Sequence, residues 1–332
     1  MNPIERGRKL INTVRTGAER AIDRTQDAVG NAVDNVKGAA VAGGRKVGQF
    51  VDGFENAVSG TARNVQSAVV GGARGVQEFF GGGNQADRVH DGKLVGANGA
   101  TFPPGTPLSD IPGVTPRNNP NPSQTILYVN GINTTKDAQF NSLQSIAETT
   151  GARVIGIHNA TEGMGADLAQ CVKDKLDKGT NPAVDTLADT LYGEIKAGRD
   201  VHLMAHSQGG LISSRALNDV YNRLRIEDGM SKQDAQALMG KINVETFGAA
   251  AMTYPDGPNY VHYVNRGDPV PSLFGLGPVA DKWNPAVDGG KGSKVHHFND
   301  FHLNPLDGHK FEDVYLKNRV PFDQAREGNF NK

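Results

Sequence analysis

A single cysteine, Cys171, leaves the chain unable to form an internal disulfide, so neither fold nor redox compartment is set by cystine. There is no run of about 18 apolar residues, the length a bilayer-spanning helix needs. The N-terminus is charged and lacks the apolar core of a secretory signal, which leads us to expect a protein that is cytoplasmic where it is synthesised. Export by a machine that needs no such signal stays open. Charge of one sign is also missing: the formal net charge is −1, which gives no global attraction to nucleic acid or to bulk membrane. No Cys/His cluster has zinc spacing, and neither a phosphate-binding glycine loop nor a dinucleotide fingerprint occurs, so no cofactor and no metal is implied.

What the sequence has in excess is glycine, 42 residues unevenly placed, and the unevenness divides the chain into three parts. Residues 1–80 carry no proline after Pro3 and repeat apolar residues every eleven positions, as in Val36, Val47, Val58 and Val69. Eleven residues in three turns is close to the helical period, so the rows merge into one long stripe. The tract reads as an amphipathic helix, weakened by glycines that each cost about 1 kcal/mol relative to alanine. Three roles suit it: packing on the rest of the chain, binding a membrane surface, or docking a secretion or chaperone partner. Residues 81–124 are dense in Pro, Gly and Asn and read as an extended linker, with Leu94, Val95, Phe102, Leu108 and Ile111 as anchors along the next domain.

From residue 125 to 332 short apolar runs alternate with helical patterns, which predicts an α/β fold with a mainly parallel sheet covered on both faces. Strands are expected at 126–129, 154–157, 201–205, 242–247 and 261–264, with 295–298 as an edge. Helices are expected at 138–149, 166–176, 183–196 and 209–224. The most informative stretch is Val201-His202-Leu203-Met204-Ala205-His206-Ser207-Gln208-Gly209-Gly210. An apolar strand stops at a serine flanked by small residues and runs into a helix, the pattern of a nucleophile elbow in an α/β-hydrolase fold.

A serine hydroxyl needs a histidine base, and the histidine needs a carboxylate to orient it. In this fold they follow the serine in the order acid, then base, at strand ends. Asp268 is the best-placed acid, just past an apolar strand and in a turn marked by Gly267 and Pro269; as an aspartate before proline it also suits a plain turn cap. His296, His297, His302 and His309 all follow it. His309, after Gly308 and ahead of the helical pattern through Val314, Tyr315 and Leu316, is the expected base; His302 is its competitor, while His296 and His297 fall within a strand. His206 is expected to pack beneath the elbow. A tetrahedral intermediate also needs backbone donors, here the amide of Gln208 and that of Ile132 or Asn133, after Gly131.

Ala-His-Ser-Gln-Gly-Gly at the elbow, Asn265-x-x-Asp268-Pro-Val-Pro, and His309 ahead of a helix with Tyr315 together resemble bacterial lipases of the class 3 type over roughly residues 125–318. The resemblance implies an α/β-hydrolase fold, a Ser207–Asp268–His309 triad and a lipid or other acyl ester as substrate. Some proteins of this kind are secreted effectors. Ala205 stands where the family has the first elbow glycine, and Asn130-Gly131 replaces its Arg-Gly or His-Gly. Between acid and base, Leu273, Phe274, Leu276 and Trp283 suit an acyl chain if they line a lid over 270–293, and equally suit simple core packing. The expected activity is a serine esterase of lipase or phospholipase type. An acyltransferase or thioesterase with the same triad, and a non-catalytic hydrolase-fold binding module, are the alternatives.

Overall fold

The computed structural model describes residues 85–132, 134–160, 181–277 and 287–332. The amphipathic tract at 1–80, the helix expected at 166–176, Asn133 and Trp283 lie outside the described residues.

Among the described residues eight strands form one mixed sheet: β1 (Leu94–Val95), β2 (Thr101–Phe102), β3 (Thr125–Val129), β4 (Arg153–Ile157), β5 (Val201–His206), β6 (Ile242–Phe247), β7 (Asn259–Asn265) and β8 (Lys294–Phe298). Their spatial order is β2-β1-β4-β3-β5-β6-β7-β8. Strands β3 to β8 are all parallel, in register from Leu127 opposite Leu203 to His262 opposite Val295. The short β1–β2 hairpin adds antiparallel to β4, so the sheet extends into the stretch read from the sequence as a linker. Leu94 and Val95 are fully buried there, and Leu108 and Ile111 also enter the core.

Parallel strands need crossover helices, and those helices cover both faces of the sheet. Among the described residues the α-helices are α1 (Lys136–Thr150), α2 (Pro182–Lys196), α3 (Gln208–Asn222), α4 (Lys232–Met239), α5 (Pro269–Phe274) and α6 (Phe322–Arg326). Side chains alternate along each strand, so β5 sends Leu203 and Ala205 into one layer and Met204 into the other. The first layer packs β-strand residues against Leu187, Leu191, Ile212 and Leu217 of α2 and α3. The second packs Tyr128, Phe247 and Tyr263 against Leu143, Phe311, Val314 and Tyr315.

Helix boundaries follow local chemistry. Thr135 Oγ1 caps α1 at the Ala138 amide, and Gly151, at φ 73°, closes it in the left-handed region. Asn181 caps α2, with Pro182 at its first position. Ser231 caps α4 through the Asp234 amide. Among the described residues no helix is long and apolar enough to cross a membrane.

Candidate active site

Ser207 and Asp268 follow the C-terminal ends of parallel strands β5 and β7, and His309 is bonded to Asp268. Strand β5 ends at His206, and Ser207 then turns the chain into α3 with φ 56° and ψ −123°. A non-glycine residue held outside the favoured regions costs about 1–3 kcal/mol, sustained only because its surroundings fix it. The fixing bonds are visible: Ser207 N–H donates to Phe247 O at 3.0 Å, and Ser207 O accepts from Gly210 N at 3.0 Å and Ala250 N at 2.9 Å. The need for small neighbours is steric. A Cβ on Gly209 would lie 2.3 Å from Val129 O, and one on Gly131 would lie 2.8 Å from Ser207 Cβ.

Ser207 is 1% exposed, and its Oγ makes no hydrogen bond to any described residue, His309 included. The Gln208 amide is the first of α3, so it has no acceptor within the helix and carries the positive end of the helix dipole. Ile132 is buried in the loop after β3. A buried amide network joins that loop to the elbow. Asn130 Nδ2 donates to Gly131 O and to Asn159 O, both at 2.8 Å, and Asn159 Nδ2 donates to Gln208 Oε1 at 2.7 Å.

Two strands further along, Asp268 follows β7. Its two carboxylate oxygens have separate tasks: Oδ1 accepts from the Val270 amide at 2.8 Å and caps α5, while Oδ2 accepts from His309 Nδ1–H at 2.6 Å. Turn cap and histidine partner are therefore the same residue. Tyr315 Oη–H also donates to Oδ2, at 2.5 Å. Burial, followed by the charge of Asp268 and this bond, pushes the Tyr315 phenol well above its ordinary range, so it stays a donor.

His309 ends a short 3₁₀ segment, Pro305–His309, and is 1% exposed. Donation from Nδ1 makes Nε2 the basic atom of the ring. The structure does not bring the other histidines to Asp268: His302 pairs with Asp300 at 3.0 Å, and His296 and His297 lie on β8. Of the expected acyl-chain residues, Leu276 is buried in the first core layer and Phe274 is half-buried in α5. Trp283 and the Leu273 side chain lie outside the described residues.

Two further side chains join the site by contacts seen only in the fold, although both stand within the motifs read from the sequence. Asn265, fully buried at the end of β7, bridges the turn of Asp268 and the loop ending at His309. Its Nδ2 donates to Asp300 O at 2.8 Å and Gly308 O at 3.0 Å, and its Oδ1 accepts from Gly267 N at 3.1 Å and Asp300 N at 2.9 Å. His206 lies against His309, with ring centroids 4.7 Å apart.

No family model matches the sequence, and no curated protein matches it. Among solved structures, a chain from Xanthomonas campestris pv. campestris, described as a "putative hydrolase of the alpha/beta superfamily", is similar at TM-score 0.26 and 17% identity. The match covers 54% of this chain and 86% of that one. A likeness at that level carries no conclusion about function.

Proposed function

We propose that the chain is a serine hydrolase of the α/β-hydrolase type that cleaves carboxylic esters, with lipid esters as the leading substrate class. One observation carries the reading: a serine on a strained strand-to-helix turn shares its sheet edge with a buried histidine bonded at 2.6 Å to an aspartate. In this scheme Ser207 Oγ attacks the ester carbonyl carbon and His309 Nε2 takes the hydroxyl proton. Asp268 holds the ring in the productive tautomer and stabilises the imidazolium. The Gln208 amide, with that of Ile132 or Asn133, bonds the oxyanion, each such donor being worth about 3–4 kcal/mol. His309 returns the proton to the leaving alkoxide, and water then resolves the acyl-enzyme by the same steps reversed.

The lipid part of the reading is supported by the resemblance of the three motifs and by two apolar side chains, Phe301 and Leu303, that stand exposed on the loop leading to His309. A panel of short-chain p-nitrophenyl esters and glycerolipids tests both levels. Hydrolysis that Ser207→Ala lowers by about 10⁴-fold or more supports the serine mechanism. Ester turnover within about tenfold of the parent in that variant refutes it. Preference for long acyl chains supports the lipid class, and turnover of short esters alone removes it.

A further inference from the structure

We propose that His206 is a positioning residue for the base: by donating its Nε2–H to the main-chain carbonyl of His309, it ties the base loop to the strand that carries the nucleophile. The inference rests on the hydrolase reading above and assigns His206 a task in it.

The geometry is specific. His206 Nε2 lies 2.9 Å from His309 O, so the proton sits on Nε2 and the ring is in one tautomer. The two imidazoles face each other at 4.7 Å with 34° between their planes. Phe311 at 5.3 Å and Tyr315 at 6.0 Å complete an aromatic cage around His206. The base loop is thereby held at two consecutive carbonyls from two strands. Asn265 on β7, the acid's strand, takes Gly308 O, and His206 on β5, the nucleophile's strand, takes His309 O. Asn265 fixes base to acid, whereas His206, adjacent to Ser207 in the chain, fixes base to nucleophile.

Packing alone does not require this residue, because a phenyl ring would fill the cage and lose only the donor. Burial, and then the neighbouring His309, hold the His206 imidazole well below its ordinary range. It therefore stays neutral beside the base and adds no charge against the imidazolium that forms there.

Two near-isosteres separate the bond from the ring. His206→Phe keeps an aromatic of similar size without the donor, and His206→Gln keeps an N–H at similar reach without the ring. A misplacement of about 1 Å costs about 10²-fold in rate, so His206→Phe should lower kcat by about that factor with KM held within about threefold. His206→Gln should recover most of the loss. Both are measured on a soluble short-chain ester, with the full chain checked by thermal melting. A folded His206→Phe with kcat within about threefold of the parent overturns the proposal. If that variant does not fold, the glutamine variant decides: kcat near the parent's supports the bond, and a loss of about 10²-fold shows that the ring, not the donor, matters. A parent that hydrolyses esters beside unaffected His206 variants sinks this inference alone. A parent whose turnover is insensitive to Ser207→Ala sinks the hydrolase reading with it.

Discussion

Asp268 has its two oxygens divided between a helix cap and a histidine, and the consequences of losing it differ from those of losing its neighbours. Asp268→Asn presents an amide to Nδ1 and favours the wrong tautomer, a change that costs about 10⁴-fold in kcat where a triad operates. Tyr315→Phe leaves the carboxylate in place and removes one donor from Oδ2. A hydrogen bond to a charged group is worth about 1.5–3 kcal/mol, so kcat should fall by about 10-fold to 10²-fold, much less than for Asp268→Asn. Steady-state kinetics on one soluble ester ranks the two, and a tyrosine variant as inactive as the asparagine one would give Tyr315 a role beyond supporting the acid. His309→Ala should match Ser207→Ala, while His302→Ala, which loses only its pair with Asp300, should stay close to the parent. Much of this was legible in the sequence, since Ser207 and Asp268 each stand where a strand pattern breaks at small or turn-forming residues, and His309 follows Gly308 ahead of a helical pattern. His206 and Asn265 fall within the motifs read there, but their bonds to carbonyls 103 and 43 residues away leave no local signal.

Among the elements, the strands were the most readable, because parallel strands buried on both faces appear as short apolar runs between helical patterns. β6 falls at 242–247, as the sequence predicts, and β5 runs one residue past the expected end, to His206. The β1–β2 hairpin was missed for the same reason in reverse: strands of two residues have no period, and theirs sit among prolines and glycines that suggest a linker. The helix following Asp268 was hidden too, since Pro269 and Pro271 look like turn residues, yet Pro269 suits the first helical position. The joint between β3, β5 and α3 gives an element-scale test. At Gly209 an added methyl would meet backbone oxygen at 2.3 Å, so Gly209→Ala must push α3 off the sheet, at about 1–3 kcal/mol for overpacking. At Gly193, exposed in α2 with nothing within 4 Å of an added Cβ, the same change should instead stabilise by about 1 kcal/mol through helix propensity. Denaturant melts of the two variants should move in opposite directions. A neutral Gly209→Ala would contradict the close approach that shapes the elbow.

At the scale of the whole molecule, buried histidine sets how stability responds to acid. His262, on β7, is held down to about 4 by burial, although its bond to Gly289 O acts the other way. Its Nε2–H donates to that carbonyl, and its Nδ1 accepts from the Thr246 hydroxyl, so the folded state needs the neutral ring. The unfolded chain takes up a proton near pH 6.5 and the folded one only near pH 4, so folding stability is intact above the first value and falls through the interval between them. The loss amounts to about 3 kcal/mol at its full extent. Melting temperature should thus decline between pH 7 and pH 4, and His262→Gln should flatten the decline; an unchanged slope in that variant would move the effect to other groups. The central proposal is that Ser207, at the end of β5, is an activated nucleophile. The most direct measurement is labelling of the native full chain with a fluorophosphonate, which reacts only with an activated serine, followed by mass spectrometry of the modified peptide. A single adduct on Ser207 is expected, lost on heat unfolding and absent from Ser207→Ala. A native chain that takes no label, or carries it on another serine, would rule out an activated Ser207.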